Sequence, residues 1–550
     1  MKKIIIVISI MLLAVACQKS FIQKEPYGVL TEQQILTPKN VEGLIISAYS
    51  ILNGQMDEAS NAYNSPASNW SFGSVTSDDM YKGGGGTGDQ NSINQMELFT
   101  VTPDTFDIGR KWLALYEGVR RANVALHALS LVKGMAPGLK AERIGEMKFL
   151  RGHFYFELKI IYNRIPYYDE NTVGIKDYYV SNTKYSSAEL WGKIEGDFKA
   201  AFAALPSTQA DPGRPTKWAA EAYLCKTYIY QKKWSQAITA ADLVINNGGY
   251  RLLKNFSATF LPQNDNGPDV IFAIQYSIND GSPKNYNGSI GDRLIPPGGP
   301  RYPRYGFERP SQNLVNAFKT DSITGLPITG NSLVRPGDYV DPRLDVTVAR
   351  PGIPYKDLGI LYEKSWARDA AVYGPFEAKK RVLSANSPYY LASWPYVSAS
   401  NYIFIRYADV LLWKAEALIE TGDLEGGRAL INVIRNRAKN SNYVQNLAGT
   451  GNAAHYKIGL YTKPFTSFTQ AINALRLERR LEFAAEGQRF FDLVRWGIAA
   501  PVLNSYFASE SKLRGYLTGA HFVKGKNEYM PIPQSEIDLG HGLITQNPGY

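Results

Sequence analysis

Two stretches of this chain, 190 residues apart, carry the same pattern of small and large apolar residues. In residues 216–246 the positions are Leu224, Cys225, Tyr228, Trp234, Ala237 and Ala241. In residues 406–439 they are Ala415, Leu418, Gly422, Leu424, Gly427 and Ile431. Apolar residues at this spacing predict helices. Small residues let two helices approach closely, and larger ones fill the space between. Each stretch therefore predicts a helical hairpin. A hairpin of this kind cannot bury its apolar faces alone, so it demands a stack of neighbours. Lys414 departs from the pattern, standing where leucine is expected.

The layout resembles a tetratricopeptide helix pair. Further helical patterns supply the neighbours. Trp112, Leu115, Tyr116, Val119 and Leu126 share one face, and residues 139–162 carry Ile144, Met147, Phe154, Leu158 and Ile161 before Pro166 ends the run. Ser186 and Glu189 form a capping box. It opens a helix striped by Leu190, Ile194, Phe198, Phe202 and Leu205 and closed by Pro206. The expected fold is mainly α: a tetratricopeptide-like scaffold of helical hairpins in a right-handed stack, with a long irregular, loop-rich excursion and a few short strands.

Two regions break the helical pattern. Residues 53–95 are rich in Asn, Ser and Gly, with Tyr63, Trp70, Phe72 and Tyr81 among them. A loop this long is usually functional or disordered, and the embedded aromatics favour order. Residues 250–401 are rich in Pro, Gly and aromatics, including Trp366, Tyr373, Tyr389, Tyr390, Trp394 and Tyr396, with a strand expected near 270–276. Loops held on a rigid scaffold are where recognition tends to reside.

The N-terminus bears on the compartment. Lys2 and Lys3 precede an apolar run over residues 4–16 that is too short to span a bilayer and suits a secretory signal. The run ends in Leu13-Ala14-Val15-Ala16-Cys17, which resembles a bacterial lipoprotein cleavage site. That resemblance implies removal of residues 1–16, acylation of Cys17 and a globular body on a lipid tether. The net charge of +10, less the two leader lysines, leaves +8. Spread over such a length, this reads as a solvated surface with a basic bias, and no nucleic-acid partner is expected. Cys225 has no partner for an internal disulfide and reads as a small buried hydrophobe.

Residues 478–497, ERRLEFAAEGQRFFDLVRWG, combine apolar faces (Leu481, Ala484, Ala485; then Phe490, Leu493, Val494) with four acids and four arginines. Arg479/Glu482, Glu486/Arg489 and Asp492/Arg495 stand three apart and are expected to pair along the helix surface. Charges that cancel in this way suit a structural clasp rather than a nucleic-acid helix.

This stretch, with FLRGHFYFELKIIYNRIPYY (149–168), DPRL (341–344), YIFIRYADVLLWKAEALIETGD (402–423) and YMPIPQSEIDLGHGLITQNPGY (529–550), resembles the SusD/RagB family of outer-membrane nutrient-binding lipoproteins. Asp409 stands where the family often has glutamate, and Gln18-Lys19-Ser20 follow the lipid cysteine where acidic residues are common. The resemblance implies a leader (1–16), an N-terminal helical region (17–250) with a binding loop near 53–95, and a C-terminal region (251–550). The last divides into an irregular part (251–401), helices (402–440) and closing helices with a tail (466–550), all packed as one body. It also implies a lipid-anchored, surface-exposed outer-membrane protein that binds oligosaccharides and serves a SusC-like, TonB-dependent transporter. Two alternatives remain: a peptide-capturing lid of the same architecture, and a secreted glycoside hydrolase.

No catalytic constellation competes with this reading. The histidines His127, His153, His455, His521 and His541 make no metalloprotease pair, and no nucleophile elbow or phosphate-loop lysine motif occurs. Gly83, Gly85 and Gly88 fit G-x-G-x-x-G but open no apolar helix, so a tightly turning loop is expected. Asp78 and Asp79, with Asp89 nearby, could ligate calcium or bond sugar hydroxyls; no cofactor is required. A sugar ring offers a flat C–H face to an aromatic ring, and its hydroxyls need oriented polar partners. The candidate ligand residues are therefore Trp70, Asp78, Asp79 and Tyr81 in the first loop, and Arg301, Tyr302, Tyr305, Trp366 and Trp394 in the excursion.

Overall fold

The structure, a computed structural model, describes residues 36–56, 61–328, 330 and 332–550. The leader and Cys17 lie outside the described residues. The N-terminal half supplies helices α1 (Pro38–Ser50), α2 (Asn91–Glu97), α3 (Phe106–Leu131), α4 (Pro137–Tyr162), α5 (Ser187–Ala204), α6 (Lys217–Tyr230) and α7 (Trp234–Asn247), with strand β1 (Met80–Gly83) between α1 and α2. The chain then runs through strands β2 (Val270–Ile274) and β3 (Phe307–Pro310), helix α8 (Gln312–Ala317), the short pair β4 (Val348–Ala349) and β5 (Glu377–Ala378), and β6 (Tyr402–Arg406). Helices α9 (Tyr407–Glu420), α10 (Leu424–Lys439), α11 (Phe468–Phe483), α12 (Arg489–Arg495), α13 (Ala499–Glu510) and α14 (Gln534–Leu539) complete it.

The predicted hairpins are α6–α7 and α9–α10, and they pack on one another through α7 and α9. Ala237 and Ala241 are buried where α6 meets α7, and the Cys225 thiol donates to Ala237 O at 3.4 Å. Gly427 is equally constrained: a Cβ there would lie 2.4 Å from the Ile419 side chain. Lys414, the departure from the repeat, extends to Asp242 of α7 at 2.5 Å and ties the two hairpins together. Helices α3, α4 and α5 continue the stack, and the Ser186/Glu189 capping box opens α5 as expected.

The excursion is closed at its root. β2 pairs antiparallel with β6, which leads directly into α9. β1, from the first loop, pairs antiparallel with β3 of the excursion. Residues 53–95 are therefore not one long loop: they hold a π-helical segment (Trp70–Val75), β1 and α2. The glycine-rich turn that follows β1 wraps the Lys82 ammonium, which donates to Gly86 O at 2.8 Å and to Asp89 O.

The largest departure from expectation concerns residues 478–497. The helix ends at Phe483, before Gly487, and the expected local pairs Arg479/Glu482 and Glu486/Arg489 do not form; Asp492–Arg495 does, at 2.8 Å. The other charges turn inward. Arg343 bonds Glu478 at 2.6 Å and Glu482 at 3.0 Å, Arg406 bonds Glu482 at 2.6 Å and Glu486 at 2.9 Å, and Arg435 bonds Glu478 at 2.9 Å. Arg437 and Lys380 close on Glu482 and Glu486. All of these side chains are buried. Burial alone would raise the Glu482 carboxyl, but Arg437, Arg406, Arg343 and Lys380 hold it well below its ordinary range.

Candidate functional site

The first loop is clamped by this clasp. Arg480 Nε donates to Asp79 Oδ1 at 2.6 Å, and Arg489 grips Asp78 with Nε at 2.9 Å and Nη2 at 3.1 Å. Burial would raise the Asp78 carboxyl, yet Arg480 and Arg489 outweigh it and hold the group at about 2. The backbones also meet: a Cβ on Gly73 would lie 1.8 Å from Gly487 O, and one on Gly487 would lie 1.9 Å from Ser68 O, at a φ of +71°. Only glycine fits such an approach with that backbone.

These contacts correct the first half of the ligand-site expectation. Trp70 is fully buried, donates from Nε1 to Gly291 O at 3.0 Å and packs edge-on against Phe307. The Tyr81 hydroxyl is taken up by Glu510 and accepts from Gln312 N at 3.1 Å. Asp78 and Asp79 face guanidinium groups, not a calcium ion or sugar hydroxyls. None of the four presents a surface to a ligand, because each is used inside the fold. Among the described residues no group of three or more His, Cys, Asp or Glu side chains is placed to hold a metal.

The excursion places its candidates differently. Trp366 and Tyr302 are 8% and 7% exposed and belong to a column of rings, in which Trp366 packs on Tyr355 at 5.5 Å, Tyr355 on Tyr302 at 5.7 Å, and Tyr302 on Tyr390 at 5.6 Å. The Tyr302 hydroxyl donates to Leu383 O at 2.8 Å and accepts from Ala385 N at 2.9 Å. These two rings support the surface rather than form it.

Above the column a hairpin reverses the chain. Leu391 N bonds Val397 O and Ala399 N bonds Tyr389 O, each at 2.9 Å, and Trp394, followed by a cis proline, sits at the tip with 60% of its surface exposed. Tyr396 meets Tyr305 edge-on at 6.0 Å, both half-buried, and Tyr389 is exposed nearby in sequence. Arg301 and Arg304 lie in the adjoining turn, exposed, with positive φ of 66° and 61°. Arg301 Nη1 donates to Asn386 Oδ1 at 3.2 Å. Beside the hairpin a small cavity of about 50 Å³ is lined by Tyr390, Tyr396, Ser398, Asn401, Asp292 and Arg381. That is room for an ordered water or a hydroxyl group.

The Tyr305–Tyr396 and Arg301–Asn386 contacts thus join the 301–305 turn to the hairpin that carries Trp394 at its tip, while Trp366 and Tyr302 are buried. The candidate set omitted Tyr396, Tyr389 and Asn386. The signal for the first two was present in the aromatic run of residues 389–396, but nothing local distinguishes a supporting tyrosine from an accessible one.

A larger groove, about 480 Å³, runs between α3, residues 166–180 and the C-terminal tail. That volume is within the range of ligand sites, ~300–1,000 Å³. Several of its polar groups are already satisfied: Tyr116 donates to Pro166 O at 2.7 Å, Tyr168 to Tyr178 O at 3.3 Å and Asn123 to Tyr168 O at 3.1 Å.

A family model described as the SusD family matches residues 268–550, and one described as starch-binding, associating with outer membrane, matches residues 21–229. The chain is 22% identical to SusD-like protein P25 of Formosa agariphila over 587 aligned positions, which cover 100% of this chain and 99% of that one. Its structure matches that of a SusD superfamily protein from Bacteroides vulgatus with a TM-score of 0.72 and 23% identity, covering 93% and 99% of the two chains. It also matches surface glycan-binding protein A from Bacteroides thetaiotaomicron, solved in complex with laminarihexaose, with a TM-score of 0.69, 20% identity and coverage of 93% and 99%. At such identities the structural likeness speaks for the fold. The stretches around Arg343, Arg406 and Glu482, far apart in sequence, close on one buried charge cluster, and a single family model spans all three: the chain belongs to the SusD family.

Proposed function

We propose that the protein is a non-enzymatic, lipid-anchored glycan-binding protein of the outer membrane. It captures oligosaccharides at the cell surface and passes them to a SusC-like, TonB-dependent transporter. The observation that carries this reading is the hairpin tip, where Trp394 stands 60% exposed two residues before Tyr396, whose ring meets Tyr305. An exposed tryptophan presents a flat, rigid ring face to solvent, and a pyranose C–H face is a partner such a ring suits. Support comes from the matching glycan-binding neighbour with its laminarihexaose and from the starch-binding description of the matched N-terminal model. Anchoring rests on Cys17, and delivery to a transporter rests on family membership.

Calorimetry with residues 18–550 against panels of oligosaccharides and peptides tests the reading. Binding to a glycan that is lost in Trp394→Ala supports it. Binding to peptides alone overturns the glycan assignment, and release of reducing sugar from a bound glycan overturns the non-enzymatic one.

A further inference from the structure

The hairpin surface carries positive charge that the fold has not neutralised. Arg301 and Arg304 are both exposed, and each side chain makes one hydrogen bond: Arg301 to Asn386 Oδ1 at 3.2 Å, Arg304 to Ser365 O at 3.1 Å. Among the described residues neither forms an ion pair. Arg381, buried close by, shows the alternative: it is bound by Asp292 at 2.6 Å and Glu308 at 2.8 Å. A guanidinium has five N–H donors in a fixed fork. At Arg301 and Arg304 most of that fork remains free.

The carboxylates on the same side do not answer this charge. Asp357 accepts from the Ser384 hydroxyl, and Glu363 accepts from Ser365 Oγ at 3.2 Å. Glu377 is fully buried and lies 3.5 Å from Arg309; Arg304 acts on it only through space, without an ion pair, and among the described residues Arg301 has no such carboxylate beside it in a salt bridge. The backbone also fixes where the arginines stand. Both occupy the left-handed region, uncommon for a residue with a side chain. Arg304 stands next to Tyr305 in the chain and Arg301 four residues before it, so both guanidiniums belong to the turn that carries this half-exposed ring.

We infer that the ligand of this surface is an anionic glycan, whose carboxylate or sulfate groups reach Arg301 and Arg304 while its rings stack on Trp394. The inference rests on the glycan-binding reading above and names the ligand class within it. Carboxylate and sulfate share the chemistry: a planar or tripodal anion accepting two parallel N–H bonds from one guanidinium. The excess of 60 Lys and Arg over 50 Asp and Glu acts in the same direction over a longer range, drawing a polyanion toward the surface.

The test uses residues 18–550 and two matched pairs of probes: a uronic-acid polysaccharide with its carboxyl-reduced counterpart, and a sulfated galactan with its desulfated counterpart. One charged member is expected to bind at least about tenfold tighter than its neutral partner, and the pair that shows the difference identifies the anion. Raising the ionic strength should narrow the difference, because both arginines are exposed to solvent. In the double variant Arg301→Ala/Arg304→Ala the preference should vanish, while Trp394→Ala should weaken charged and neutral members together. Equal affinity within both pairs overturns the inference and leaves the glycan reading intact, as does a preference that survives the double variant. Failure to bind any glycan, charged or neutral, overturns the glycan reading itself. Both arginines lie on the surface, so matching thermal melts will establish that the variants fold.

Discussion

Residues 61–89 and the pair of segments 296–306 and 384–399 are built from the same kinds of residue: tryptophan and tyrosine among glycine, serine, asparagine and charged groups. In the first region the charges meet their complements within the chain, because Asp78 and Asp79 receive Arg489 and Arg480 from about 400 residues away. In the second, among the described residues, Arg301 and Arg304 form no ion pair: each side chain makes one hydrogen bond, to Asn386 Oδ1 and to Ser365 O. The rings divide in the same way. Trp70 lies under the clasp, and Trp394 stands in solvent. Availability to a ligand is set less by residue type than by whether another part of the chain has already supplied the partner.

Four measurements would break or sharpen this contrast. The largest effect is expected from Asp78→Ala, which takes from the partly buried Arg489 its ion-pair partner and from Arg480 one of two, with Asp79 remaining. Removing one side of such a pair costs ~3–5 kcal/mol, read as a lower midpoint in denaturant. Unchanged stability with lost glycan binding would reverse the roles of the two regions. Next comes acid. The Asp78 carboxyl is held at about 2, below its unfolded value. Its contribution is complete above pH ~4 and is lost as the pH falls toward 2, an amount of about 2 kcal/mol. Asp78→Asn should remove that slope from the stability profile; an identical acid limb in the variant would show that the ion pair is not its source. Third, Trp394→Ala should weaken glycan binding by about tenfold, ~1.4 kcal/mol, with no shift in melting temperature. A marked loss of stability would mean that the tip is structural after all. The smallest effect is that of Arg301→Ala on folding, expected within ~0.5 kcal/mol, because its single bond to Asn386 is exposed.

Much of the scaffold was legible in the sequence because its determinants are local. The paired hairpins announce themselves through small residues at matched positions, and the Ser186/Glu189 cap is a four-residue signal. Even the departure at Lys414 has a simple resolution in its contact with Asp242. The failures share one cause. Spacing suggested that Glu486 would pair with Arg489, but Glu486 goes to Arg406 and Lys380, and Arg489 goes to Asp78. Charges three apart are neighbours only while the helix continues, and here it stops at Phe483. Once the chain turns at Ala485 and Gly487, both with positive φ, each side chain reaches a different part of the molecule. The half of the candidate site in the first loop was misassigned for the same reason: no local pattern in residues 61–89 reports that two arginines near the C-terminus will cover it. Trp366 and Tyr302 lie deeper than expected, because a one-dimensional pattern does not encode depth.

The buried cluster around Glu478, Glu482 and Glu486 has a consequence for chains that lack their C-terminal end. Lys380, Arg406, Arg435 and Arg437 emerge before the carboxylates that neutralise them. Until residue 486 is present, collapse of the preceding segments would enclose several cations with too few anions, a state costly enough to be rejected. A chain cut short before residue 478 would therefore carry these cations without their partners, and is expected not to close the native core.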